Sequence, residues 1–426
     1  LRIRAFLIAL HEWIIIIEME DQSKDFKLYP SSTTQLMPSE ERLEIPNKAC
    51  RLSIGIPKET IWLENRVSLS PEAVRQLIKD GHRVVVENEA GSAAHFPNHL
   101  YSDMGAEIAY ESNIVYQADI IVKVAPPTSN EISMMRGKQV LLSSLNIAGL
   151  TDLHFKQLSA KRVTALAFEY VKDRDGNFPI VRAMSEIAGT TSIIIAADYL
   201  CHPDYGRGLM FGGLSGIAPT EVVILGAGTV GEFAARAAIG MGAFVKVFDN
   251  SVYRLRRLQN NIGTRVYTSV IQSSALSEAL ASADVAIGAI RSKAGFSPVC
   301  VTEEMVMKMN AGAVIIDVSI DQGGCFETSI MTDHKNPVYE KHGVTHYCVP
   351  NIPSKVPRTA SLALSNLIVP VLLRIGEEGG ITNILRADHG IRNGVYLYNG
   401  ISTNRYLSDH FNLPHKDIEL LLAAYR

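Results

Sequence analysis

Short apolar runs alternate with longer amphipathic stretches along most of this chain. The run LSIGIP (52–57) predicts a strand. A helix follows from Ser70-Pro71-Glu72: an N-cap, a proline where its missing N–H costs nothing, and an acid facing the positive helix end. HRVVVE (82–87), DIIVKV (119–124), 139–142 and 163–168 predict further strands, and Pro126-Pro127 ends the second of these because proline cannot donate to a ladder. Residues 184–201 predict a long, mostly apolar helix. A second alternating set begins at 222–225, four apolar residues in a row, the pattern of a strand buried on both faces. Runs at 244–248, 285–290, 313–318 and 345–349 continue it, a helix is expected over 359–377, and the remainder is mixed. No internal repeat or low-complexity tract stands out. Strands alternating with helices imply an α/β architecture with mostly parallel, doubly wound sheets. The simplest arrangement has two such domains, 184–356 inserted between 51–183 and 357–426, with helices near 190 and 365 crossing between them. The cleft between the domains is the expected ligand site.

Composition narrows the function classes. The 426 residues suit two or three domains, and 47% hydrophobic with 20% charged residues is ordinary globular usage. Lys plus Arg number 41 against 44 Asp plus Glu, a net charge of −3, so no field draws in nucleic acid or an anionic membrane, and neither is expected as a partner. The five cysteines include no CxxC spacing, which argues for free thiols in a reducing, cytoplasmic setting and against a metal site. Residues 1–50 read as a disordered arm or an over-extended start, with Met19 or Met37 as the true start. The apolar stretch at 5–17 is broken by His11 and Glu12, and no segment approaches the roughly 20 apolar residues of a membrane span.

The strongest motif is Gly226-Ala227-Gly228-Thr229-Val230-Gly231, directly after the 222–225 strand and opening a helical stretch. In this context Gly226 permits the tight turn, Gly228 lets the backbone approach a pyrophosphate, and Gly231 lets helix and strand pack closely. The helix start at Thr229 and Val230 offers free N–H groups to phosphate. Asp249 closes the next strand, where a carboxylate takes the ribose hydroxyls and repels a 2′-phosphate. The expected cofactor is therefore NAD, on a Rossmann-like domain. Arg254 lies just beyond.

A second informative stretch, VIIDVSIDQGG (314–324), places Asp321 just past the carboxyl end of a strand, where doubly wound folds bind ligands. Two glycines there let the backbone come close to a ligand.

With IGIPKE (54–59), NRVSLSP (65–71), MSEIAG (184–189), GGLSGIAP (212–219), VVILGAGTVG (222–231), VIIDVSIDQGGCFE (314–327) and CVPNIPSKVPRTASLALSN (348–366), the chain resembles alanine dehydrogenase and the related NAD-binding domain of nicotinamide nucleotide transhydrogenases over about 52–426. The resemblance implies two Rossmann-like domains with NAD in the cleft and reversible oxidative deamination of L-alanine to pyruvate and ammonium. It implies a small-molecule amino acid or 2-oxo acid partner and a homo-oligomer, a hexamer or a dimer. It assigns substrate binding to Arg66 and Met184 and a cofactor contact to Ser185. It also assigns the adenosine ribose to Asp249 and Arg254, catalysis to Asp321, and the nicotinamide loop to Asn351 and Ile352. Two positions depart from the family pattern. Ala125 replaces a substrate-binding lysine, and Asn146 replaces the acid/base histidine; asparagine carries no proton at neutral pH. Lys123, two positions from Ala125 on the same strand face, and Lys355 are the candidate replacement cations. Two alternatives stand beside this reading: a related NAD(H) oxidoreductase for another oxo acid or imine, and a catalytically impaired, transhydrogenase-like NAD-binding protein.

Overall fold

The computed structural model describes residues 49–61, 63–145, 147–291 and 296–424, so nearly all of the expected arm at 1–50 and Asn146 lie outside the described residues. The chain first lays down β1 (Ser53–Ile56), β2 (Arg83–Glu87), β3 (Glu107–Ala109), β4 (Ile120–Val122), β5 (Val140–Ser143) and β6 (Thr164–Ala167), all parallel, in the spatial order β3-β2-β1-β4-β5-β6. Between β1 and β2 runs α1 (Pro71–Lys79). The Ser70 hydroxyl accepts from the Ala73 N–H (3.3 Å), and Ala73, Val74 and Leu77 form the buried face.

The chain leaves this sheet through α2 (Pro179–Cys201). It then builds β7 (Glu221–Leu225), β8 (Phe244–Phe248), β9 (Tyr267–Ser269), β10 (Val285–Gly288), β11 (Val314–Asp317), β12 (Val338–Lys341) and β13 (Val344–Tyr347). Their order, β9-β8-β7-β10-β11-β13, repeats that of the first sheet, with β12 antiparallel at the edge. Helices α3 (Thr229–Gly240) and α4 (Val252–Ile262) follow β7 and β8. The long α5 (Pro357–Glu377) leads back, and β14 (Val395–Tyr398) and β15 (Ile401–Ser402) close the first sheet antiparallel to β6.

Every strand expected from an apolar run is present. The unexpected ones, β3, β9, β12, β14 and β15, lie at or next to sheet edges, and several carry polar residues on both faces. Helix α2 starts at Pro179 rather than 184, because proline suits the first helical turn. One expectation is corrected: α2 and α5 are long and apolar enough to cross a membrane, with mean hydropathy 1.4 and 1.5. Here they are core helices that pack on each other, and Ile193, Ala196, Leu200, Leu364, Ile368 and Leu372 are buried. A Cβ on Gly189 would lie 2.3 Å from the Val230 carbonyl oxygen, so α2 meets the start of α3 backbone to backbone.

In both sheets the order reverses direction beside the first strand, between β1 and β4 and between β7 and β10. Crevices open at the carboxyl ends of such strands. Helix α5 steadies the loop after β1: the Ser361 hydroxyl accepts from the Val67 N–H (2.9 Å) and the Ser365 hydroxyl from the Ser70 N–H (2.7 Å). Leu364 lies between these serines with no exposed surface. Leu364→Ala is expected to lower unfolding stability by about 2–5 kcal/mol through the cavity it leaves, read as a lower urea midpoint at unchanged slope.

Candidate active site

The glycine turn lies at the crevice of the second sheet. Gly226 adopts φ +108°, and a Cβ there would lie 2.4 Å from the Ala289 carbonyl oxygen of the neighbouring strand connection. A Cβ on Gly231 would lie 1.8 Å from the Gly226 carbonyl oxygen. Both glycines are therefore dictated by packing. Gly228 differs: a Cβ there meets nothing within 4 Å, and it caps α3 without any side-chain hydrogen bond. The start of α3, with Thr229 and Val230, thus presents backbone N–H groups and the positive helix end to open space, which suits an anion. Asp249 builds this turn as well, since Oδ2 accepts from the Ala227 N–H (2.8 Å) and Oδ1 from the Ser251 N–H (2.7 Å). Arg254 Nη1 lies 3.7 Å from the same carboxylate. A cavity of about 360 Å³ lined by Leu255, Gln259, Thr268 and Ser269 opens beyond it. The Ser185 hydroxyl donates within α2 to the Val181 carbonyl (2.7 Å).

The two halves of the molecule meet around Arg66. Its Nε and Nη2 donate to the two oxygens of Glu64 (2.7 and 2.5 Å), and Nη1 reaches Met184 Sδ (3.5 Å). Glu64 also accepts from Asn351 Nδ2 (3.0 Å), and the Asn351 N–H donates to Asp321 Oδ1 (3.0 Å). Arg66, Met184, Asn351 and Asp321 are thus brought together. Asn351 adopts φ 55°, a left-handed conformation that asparagine tolerates. Ile352 is 2% exposed, a core residue that shapes its loop rather than presenting a side chain. Asp321 keeps solvent-exposed surface, with protein packed closely around its carboxyl. That enclosure pushes its carboxyl above the usual range and Asp317 adds to the push, while the Asn351 N–H, Arg66 and Arg291 oppose it.

Lys123 is corrected. It is fully buried, with Nζ 2.9 Å from Glu131 Oε1 and 3.1 Å from Glu59 Oε2, so its charge is committed inside the protein rather than offered to a substrate. Burial alone would lower its pKa, but the two carboxylates outweigh that and raise it. Glu59 also accepts from the N–H groups of Val124 (2.6 Å) and Ala125 (3.3 Å), and Ala125 is itself buried. Lys355 is exposed.

Gly324 of the 321–324 turn, with Gly288 of β10, makes room for a carboxylate of the protein itself. Asp317, at the end of β11, has no exposed surface and accepts from the N–H groups of Ser319 (3.0 Å), Cys325 (2.8 Å) and Phe326 (3.4 Å) and from the Ser329 hydroxyl (2.7 Å). A Cβ on Gly324 would lie 2.8 Å from Asp317 Oδ2, and one on Gly288 2.5 Å from Oδ1.

Two family models match: Alanine dehydrogenase/PNT, N-terminal domain, over residues 55–188, and Alanine dehydrogenase/PNT, C-terminal domain, over residues 192–405. The chain belongs to the alanine dehydrogenase/PNT family. Alanine dehydrogenase of Bacillus subtilis is 40% identical over 355 residues, covering 82% of this chain and 93% of the relative. That of Staphylococcus saprophyticus is 37% identical over 370 residues, covering 87% and 99%. A solved L-alanine dehydrogenase superposes with TM-score 0.80 at 36% identity, covering 84% of this chain and 99% of its own. A transhydrogenase from Sinorhizobium meliloti shares the fold with TM-score 0.71 at 24% identity, covering 83% and 99%.

Within this family frame, sequence reasoning missed Glu64, Glu59, Glu131 and Asp317. Glu64 left a local signal, a carboxylate two positions before the arginine expected to bind substrate, and Glu131 left another, three positions after its capping partner Thr128. Glu59 meets Lys123 across the fold, whereas the partners of Asp317 follow it closely in the chain without marking it. Lys123→Ala strands two buried carboxylates and is expected to cost about 3–5 kcal/mol of stability in urea unfolding, far more than a solvated lysine would.

Proposed function

We propose that this chain is an NAD-dependent alanine dehydrogenase, interconverting L-alanine with pyruvate and ammonium, its nucleotide domain (184–356) inserted into a substrate domain (51–183 and 357–426). The observation that carries the reading is the convergence of Arg66, Met184, Asn351 and Asp321 where the two sheets face each other. The site fits a dinucleotide: Gly228 faces open space at an uncapped helix start, and Asp249 stands at the end of β8. Gly226, Gly228, Thr229, Val230 and Gly231 would hold the pyrophosphate and Asp249 with Arg254 the adenosine ribose. Ser185, Asn351 and Ile352 would line the rest. When bound, the nicotinamide supplies or accepts the hydride.

Arg66 binds the substrate carboxylate through the Nη1 edge that Glu64 leaves uncommitted, beside Met184. Asp321 moves the proton that the amine or carbonyl needs, the role that Asn146 cannot take. Ala125 is buried, so the shortened side chain leaves covered protein rather than open space, which supports a small substrate over a larger oxo acid. A homo-oligomer is supported by an exposed apolar patch of Met210, Leu214, Ile217, Met241 and Phe244. The sparse free thiols suit the cytoplasm.

NADH oxidation at 340 nm with pyruvate and ammonium tests the reading. Asp321→Asn is expected to lower turnover about 10²–10⁴-fold while NADH fluorescence still reports binding. Equal turnover in the variant would sink the role of Asp321. The raised carboxyl sets the pH dependence. Alanine oxidation needs the carboxylate and falls as pH drops through that raised value; pyruvate amination needs the acid and falls as pH climbs past it. Rate profiles in the two directions should therefore show opposite limbs.

A further inference from the structure

We propose that Asp317 is the positioning residue for Asp321: its buried carboxylate is the core around which the 318–329 turn is wound, and its charge acts on Asp321. This rests on the reading of Asp321 as the acid/base. All four strong partners of Asp317 are donors, namely the N–H groups of Ser319, Cys325 and Phe326 and the Ser329 hydroxyl. No neighbouring group requires it to donate, so the set fits an ionised carboxylate. The thiols beside it stay neutral: burial pushes Cys348 up to about 11 and Cys325 well above its ordinary value. Burial pushes the Asp317 carboxyl up as well, and its four donors pull it back, so it is the donor set that marks Asp317 as the anion of this cluster.

The wrapping is tight. Gly288 from β10 and Gly324 from the turn both approach within a distance that no Cβ tolerates, and Gly323 and Gly324 adopt φ +95° and +87°. Asp321 lies on the short helical turn Val318–Gln322, whose cap is Asp317 itself through the Ser319 N–H. Loss of the Asp317 acceptors releases that turn at both ends, because Ser319 precedes Asp321 and Cys325 follows it. The charged groups facing Asp321 are Asp317 from β11, Arg66 from the loop after β1 and Arg291 after β10, with the Asn351 N–H from the segment after β13. Arg66 is in turn faced by Glu64 and Glu59. Among the described residues, Asp317 is a carboxylate that acts on Asp321 to raise its proton affinity.

Asp317→Asn keeps the shape, removes the charge and points an amide N–H₂ at donors. It is expected to lower kcat about 10²-fold, with NADH affinity by fluorescence within about twofold, since the glycine turn is untouched. The acid limb of alanine oxidation should move to lower pH. In cofactor-free enzyme, the ¹³C carboxyl signal that Asp321→Asn removes should titrate with about three- to tenfold lower proton affinity. A purely structural role would not move that titration. Ser329→Ala removes one donor and keeps the charge, so it is expected to lower kcat about three- to tenfold with the acid limb unmoved. It decides the matter if Asp317→Asn does not fold. An unchanged Asp321 titration in Asp317→Asn, or wild-type kcat in Ser329→Ala, overturns the proposal. Loss of the catalytic reading instead shows as full turnover in Asp321→Asn, with the ¹³C titration still responding to Asp317.

Discussion

Glu64 carries the contact on which the meeting of the two sheets depends. Its carboxylate is 5% exposed and receives the Arg66 guanidinium from its own loop and Asn351 Nδ2 from the other half of the molecule. A buried carboxylate tolerates no missing donor, because an unpaired charge costs several kcal/mol. The loop after β1 and the segment before α5 are therefore held in one relative placement. Ser354 reinforces it, accepting from the Asn65 N–H (2.9 Å) and donating to the Leu63 carbonyl (2.6 Å). Asn351 then passes the constraint on, since its own N–H holds Asp321. One acid thus sets the spacing between Arg66 and Asp321.

The cation expected near Ala125 shows how strongly buried charge constrains a site. Lys123 is close in sequence and on the same strand face, yet moving its ammonium toward a substrate would strand Glu59 and Glu131 in the interior. Burial pushes Glu59 up and Lys123 pulls it back. Burial acts on Glu131 in the same sense, but Lys123 and the Thr128 N–H overcome it and leave that carboxyl below its ordinary range. The three groups are stable only together. Arg66 is likewise bound on two of its nitrogens by Glu64, which leaves Nη1 as its uncommitted edge.

Much of this was legible in the chain. Central strands such as Val222–Leu225 announce themselves because burial on both faces demands unbroken apolar runs. Edge strands such as Tyr267–Ser269 do not, because one side faces solvent and the composition is mixed. The glycine turn was readable because its spacing falls directly between an apolar strand and a helix start. The close approach expected of the glycines at 323 and 324 is present at Gly324, where the backbone passes the Asp317 carboxylate. The full partner set of Lys123 could not be read, since Glu59 meets it only after β1 and β4 pair. Helix α2 runs longer than its apolar stretch, because Pro179 supplies a first turn ahead of it.

The two sheets share a strand order without sharing a readable repeat, and the reason lies in what each crevice must supply. The second offers backbone N–H groups to an anion, which requires glycines where a Cβ would lie 1.8–2.4 Å from a carbonyl oxygen and leaves little freedom at Gly226 and Gly231. The first offers charged side chains, and each survives only with its own partner: Glu64 for Arg66, Glu59 and Glu131 for Lys123. Exchange is therefore possible in the first crevice wherever it leaves no orphan. Position 125 meets that condition, since the polar contact of Ala125 is its backbone N–H to Glu59, which any residue but proline supplies. A lysine there can be lost without stranding a buried charge, whereas loss of Lys123, Glu64 or Asp317 cannot be absorbed in the same way.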